Sequence, residues 1–140
     1  MIKRSAPAAA LTLAAILLPA CSVSTAHIGS LQMAKDKDMS APTTSFGVHD
    51  AVYAKASADN LPGKVSLNWQ LIAEKVAGQK PNTAIPQLDK SYNLDSDGTT
   101  TYDLTPPDAG WPVGTYKIVV TMTDNGTQRD TKSTEFTIAQ

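Results

Sequence analysis

Apolar and polar residues alternate one for one through much of this chain. Val65, Leu67, Trp69 and Leu71 are separated by Ser66, Asn68 and Gln70. A period of two puts one set on each face of a pleated strand, one face buried and the other wet. Near the C-terminus, Tyr116, Ile118, Val120 and Met122 alternate with Lys117, Val119, Thr121 and Thr123. Asp124-Asn125-Gly126-Thr127 follows, and then Thr134, Phe136 and Ile138 alternate with Ser133, Glu135 and Thr137. Asn-Gly tolerates positive φ and matches the twist of the flanking strands, so the pattern predicts a hairpin.

Shorter segments repeat the theme. Residues 30–34 place Leu31 and Met33 on one face, and residues 51–57 place Val52, Ala54 and Ala56 on one face. Residues 91–94 and 100–104 flank the turn Asp95-Ser96-Asp97-Gly98. No long 3.6-residue period appears after His27. The one helical-looking stretch, residues 71–77, is cut short by Gly78 and Pro81. Residues 35–43, 77–86 and 105–114 read as loops. The last holds Pro106, Pro107, Gly110, Pro112 and Gly114 and cannot be regular structure. About seven short strands at intervals near ten residues predict an all-β protein, an antiparallel sandwich of two sheets.

The first twenty residues follow a different rule. Met1-Ile2-Lys3-Arg4 is a positive head, and residues 8–18 are an apolar run broken only by Thr12. Spanning a bilayer takes about 20 apolar residues. The shorter run behind a basic head is the pattern of a secretory signal peptide. Leu18-Pro19-Ala20-Cys21 resembles the lipobox of bacterial lipoproteins, with Pro19 bulkier than the residue usual there. The resemblance implies cleavage before Cys21 and acylation of its thiol. It divides the chain into a signal peptide (1–20), an acylated cysteine with its tether (21–26) and one domain (27–140). Ser22 stands where such lipoproteins carry aspartate for inner-membrane retention, so the resemblance points to the outer membrane. Cleavage after Ser24-Thr25-Ala26 is the competing expectation. It would discard Cys21 and release a soluble protein.

Charge and cysteine content narrow the class. The chain carries 12 basic and 13 acidic residues, and loss of Lys3 and Arg4 with the leader leaves a mildly acidic protein. Nucleic acid is not an expected partner, because phosphate neutralisation needs a concentrated basic patch. One cysteine allows no internal disulfide, so packing alone must hold the domain. Within residues 27–140 the arrangement resembles bacterial immunoglobulin-like domains. The likeness is carried by Trp69 and by Gly110-Trp111-Pro112-Val113-Gly114-Thr115-Tyr116. A Gly-x-Tyr opening the penultimate strand looks like the tyrosine corner, whose phenol ties back to the backbone. The inter-sheet cysteine pair of many such domains is absent. The resemblance implies binding or spacing rather than catalysis.

Candidate chemistry is sparse, and no catalytic group, cofactor or metal is expected. Asn93-Leu94-Asp95-Ser96-Asp97-Gly98 looks like the start of a calcium loop, but its twelfth position is Leu104 where a bidentate glutamate is needed. His27 and His49 are the only histidines, too few for zinc once Cys21 is acylated. No Gly-x-Ser-x-Gly elbow or glycine-rich phosphate loop occurs. Lys35-Asp36-Lys37-Asp38 reads as a solvated loop.

Trp111 lies in a Pro/Gly-rich loop, either as a lid over one end of the sandwich or as an exposed anchor. With Pro112 and Tyr116 it forms the candidate partner-binding set. The expected function is that of a membrane-anchored envelope lipoprotein, a non-catalytic module contacting another envelope protein. The alternatives are a periplasmic enzyme inhibitor and an accessory lipoprotein of a secretion machine.

Overall fold

The structure, a computed structural model, describes residues 25–140. The expected signal peptide (1–20) and Cys21 lie outside the described residues. Seven substantial strands form: β1 His27–Ala34, β3 Val52–Asp59, β4 Val65–Val76, β6 Lys90–Leu94, β7 Gly98–Leu104, β8 Gly114–Asp124 and β9 Thr127–Ala139. Two short ones, β2 Ser45–Gly47 and β5 Thr83–Ala84, and a 3₁₀ turn at Pro86–Leu88 complete the chain. One sheet has the order β1-β3-β7. The other runs β2-β9-β8-β4, with β5 and β6 sharing the far edge of β4. The result is an all-β sandwich of two packed, almost wholly antiparallel sheets.

Alternation places the core. Val65, Leu67, Trp69, Leu71 and Ala73 on β4 face inward, as do Tyr116, Ile118, Val120 and Met122 on β8. They meet Val52, Ala54, Ala56 and Ala58 from β3. The alanines let the sheets approach closely, and the aromatics fill the remaining width. Trp69 on β4 stacks on Tyr102 of β7, with ring centroids 5.3 Å apart and planes 20° from parallel. The Trp69 indole N–H donates to Thr100 Oγ1 at 3.1 Å, and Thr100 is a buried polar residue. This pair of contacts joins the two sheets through the middle of the core.

Several segments differ from the sequence reading. The strand expected at 30–34 begins at His27, and a bulge between Ile28 and Leu31 leaves Met33 buried but Leu31 only half-buried. Residues 71–76, the helical-looking stretch, simply continue β4 past a bulge between Ala73 and Lys75. The loop at 77–86 folds back as β5, with Ile85 N–H on Leu71 O at 2.9 Å and Asn82 N–H on Glu74 O at 3.1 Å. β2 was not expected at all. It pairs parallel to the end of β9 and is the one departure from antiparallel pairing among the described residues.

Charged side chains close the sandwich flanks. Asp130 of β9 accepts the Ile28 and Thr131 amides, each at 2.8 Å, tying β1 to the opposite sheet. On the other flank Lys90 of β6 donates to Asp103 O and Oδ1 of β7 at 2.9 and 3.0 Å. Tyr102 Oη donates to Leu88 O at 2.6 Å. A lysine occupying an edge carbonyl also blocks unwanted strand pairing there. In the Asp95–Gly98 turn, Asp97 accepts the Leu61 and Asn60 amides at 2.9 and 3.0 Å. Those amides hold its carboxyl below the usual range.

Candidate functional site

The strands set two ends. Loops at 35–44, 48–51, 77–82 and 105–113 gather at one end, while residue 26 and the turns at 60–64, 95–97 and 125–126 gather at the other. The richest architecture lies at the first, around Trp111.

A turn starts it. Gly110 N–H donates to Pro107 O at 2.8 Å, and Gly110 takes φ 85°, a left-handed conformation suited to glycine. Trp111 then turns inward. Its backbone N–H donates to Val48 O at 2.7 Å, and its indole N–H donates to Asp50 O at 2.9 Å. The ring packs with Val52, Leu71, Phe136 and Ile138. Trp111 is 8% exposed, a lid rather than a projecting anchor. Its acceptors are themselves held. Asp50 Oδ2 accepts the Gly47 amide at 2.6 Å and lies 3.0 Å from Lys35 Nζ. The Gly47 hydrogen bond first, and then Lys35, keeps this carboxyl below its ordinary range.

The rest of the loop is clamped from both sides. Tyr116, 2% exposed, donates its phenol to Pro112 O at 2.7 Å, the tie of a tyrosine corner. Burial pushes that phenol's pKa up, so it remains a donor across the physiological range. Its ring stacks on Phe136 at 5.3 Å, and Phe136 meets Phe46 of β2 edge-on at 5.7 Å. Val113 O accepts the Ala77 amide at 3.2 Å. Between these ties Pro112 is exposed, and Val113, 38% exposed, is the one large exposed hydrophobic among the described residues.

The candidate set thus divides. Trp111 and Tyr116 lie inside and hold the loop, while Pro112 and Val113 form its outer tip. Val113 was missed in the sequence, where nothing separates it from a core valine. A Tyr116→Phe variant retains the ring stack and loses one hydrogen bond. It is expected to unfold about 1 kcal/mol more easily in denaturant titration and to exchange its Ala77 amide proton faster.

The remaining polar candidates serve local structure. His27 Nδ1 lies 2.9 Å from Thr25 O, and Nε2 lies 3.9 Å from Asp59 Oδ2. His49 sits in the turn before β3. Among the described residues no three histidine, cysteine or acidic side chains stand together as a metal-ligand group.

The chain matches no protein-family model and no curated protein sequence. Its fold is similar to parts of larger solved proteins. The alkylpurine DNA glycosylase AlkC of Pseudomonas fluorescens, bound to DNA with an abasic-site analog, aligns over 82% of this chain and 30% of its own, at 12% identity and TM-score 0.54. The β-glucosidase EmGH1 of Erythrobacter marinus aligns over 82% and 15%, at 14% identity and TM-score 0.54. A Listeria innocua β-glucosidase in complex with glucose aligns over 79% and 16%, at 13% identity and TM-score 0.51. This chain therefore spans less than a third of each of them, and the likeness is one of fold alone.

Proposed function

We propose that this chain is a lipid-anchored protein of the bacterial envelope, attached through Cys21 and acting as a non-catalytic module that grips another envelope protein. The observation that carries the reading is the opposition of the two ends. β8 starts beside the Pro112-Val113 tip and finishes at Asp124, which lines the same hollow as Thr25 and Ala26, where the chain arrives from Cys21. Eleven residues of strand span about 33 Å. Five residue steps from Cys21 to Ala26 reach no more than about 18 Å. An acylated Cys21 therefore keeps the hollow end near the bilayer and turns the apolar tip outward. Two or more acyl chains anchor firmly, since each buried CH₂ adds about 0.8 kcal/mol. Ser22 favours the outer membrane over the inner. The tip is prepaid in order: its backbone is tied at Trp111, Pro112 and Val113, so little conformational entropy is lost when a partner covers it.

The test follows palmitate labelling and in-cell crosslinking together. The wild type is expected to take the label and Cys21→Ala to lose it, with globomycin blocking processing of the wild type. A photo-crosslinking residue at position 113 is expected to capture one envelope protein reproducibly, and one at Gln128, near the tether, is not. An unlabelled wild type ends the anchoring half of the proposal. Identical or absent crosslinks at both positions end the binding half.

A further inference from the structure

A second hollow, on the flank of the sandwich, points to a small ligand. It is bordered by Lys37 of the β1–β2 loop, Tyr53 of β3, Tyr92 of β6, and Thr101 and Asp103 of β7, and encloses about 370 Å³. That volume falls in the range of small-molecule sites. Tyr53 is half-buried on the outer face of its sheet, and Tyr92 is half-buried at the edge of the core.

The loop that brings Lys37 here is more ordered than a solvated connection requires. Asp36 accepts the Ser40 amide, the Ser40 hydroxyl and the Ala41 amide at 2.9, 2.7 and 2.9 Å. Met39 N–H donates back to Asp36 O at 3.2 Å, with Met39 in the left-handed region at φ 58°. Lys35 is spent on Asp50. Lys37 then stands at the hollow, attracting Asp103 across it but within hydrogen-bond or ion-pair distance of no described residue. The phenol oxygens of Tyr53 and Tyr92 and Asp103 Oδ2 likewise lack such a partner, whereas Asp103 Oδ1 is taken by Lys90 at 3.0 Å.

We propose that this hollow is a binding site for an acidic saccharide. Two phenol rings with polar rims suit a sugar, which presents an apolar C–H face and a ring of hydroxyls. Thr101 and Asp103 Oδ2 offer acceptors for those hydroxyls. Lys90 ion-pairs with Asp103 from outside the lining, so the Lys37 ammonium, which attracts Asp103 only from beyond ion-pair distance, can receive a sugar carboxylate. A polyphosphate would want more cations, a metal ion more carboxylates, and an acyl chain a dry apolar slot. The site lies away from Pro112 and Val113 and does not depend on lipidation or on the protein partner.

Titration of the full chain in detergent tests the assignment. The probes are the disaccharide N-acetylglucosaminyl-N-acetylmuramic acid and its uncharged counterpart N,N′-diacetylchitobiose. The acidic disaccharide is expected to bind saturably and about tenfold more tightly than the neutral one, the worth of one charge-assisted hydrogen bond. Lys37→Ala is expected to erase that difference, and Tyr53→Ala to weaken both sugars about tenfold. Circular dichroism confirms that each variant is folded. Absence of saturable binding, equal affinity for the two disaccharides, or wild-type affinity in both folded variants overturns the proposal.

Discussion

Replacing Trp69 with alanine is expected to lower the unfolding free energy by about 4 kcal/mol, the range for emptying a large buried aromatic site. The indole is wholly buried in the middle of β4, paired with Val120 on one side and Lys90 on the other. Its loss removes the stack on Tyr102 and leaves the Thr100 hydroxyl without its donor. Alanine cannot fill the space, because strands on both sides hold the backbone in place. For a domain of this size the fall in Tm is on the order of 15–20 °C. Domains of this class have about 5–15 kcal/mol in total, so the variant loses a large share of what it has, with no disulfide in reserve. Trp69→Phe separates the contributions. It keeps an aromatic ring against Tyr102 and removes the N–H donor, and is expected to cost roughly half as much. A Tm within 5 °C of wild type for Trp69→Ala would refute the view that this contact joins the sheets.

The burial of Trp69 was legible in the sequence for a simple reason. A sheet buried on one face writes itself with period two, and a one-residue slip would turn every side chain out. Hence β3, β4, β8 and the later half of β9 were readable, and so was the Asn125-Gly126 turn, with φ 49° and 78° at those residues. Where the period breaks, legibility ends. β1 hides behind its bulge around Gly29, where an added Cβ would run into the side chains of Asp59 and Ser57. β2 has one buried residue, Phe46, and a single residue has no period. Both residues of β5 are exposed, and backbone pairing with Ile72 and Ala73 leaves no trace in side-chain type.

The loop around Trp111 divides in the same way. That Tyr116 would tie back to the backbone could be read from Gly-x-Tyr, since donor and acceptor are four residues apart. The direction of Trp111 could not, because it is fixed by the carbonyls of Val48 and Asp50, about sixty residues upstream. Lys37, Tyr53 and Tyr92 likewise come from three separate elements. Only the fold brings them to one hollow.

Gly114 is where the fold and the Pro112-Val113 tip depend on the same atom, or rather on its absence. The residue takes φ 153°, and a Cβ there would collide with the carbonyl oxygen of Lys75 and lie 2.7 Å from Val76 Cα. Those are backbone atoms of β4 at its bulge, so no rotamer change can clear them. Gly114→Ala is therefore expected to cost about 3 kcal/mol or more, the sum of a disfavoured backbone and a forced separation of β4 from β8. Gly126→Ala supplies the comparison: it has φ 78° but open space around the added methyl, and should cost only about 1–2 kcal/mol. The excess at Gly114 is the price of the close approach. Separating the strands also breaks the Ala77 N–H to Val113 O bond and loosens the lid. In the wild type both indoles are shielded, so iodide should quench tryptophan fluorescence weakly. In Gly114→Ala, Trp111 should become accessible while Trp69 remains dark to iodide, and crosslinking from position 113 should fall as the tip loses its fixed backbone. If Gly114→Ala proves as mild as Gly126→Ala, with quenching unchanged, then the tip is not held by that approach and its preorganisation fails as the basis of recognition.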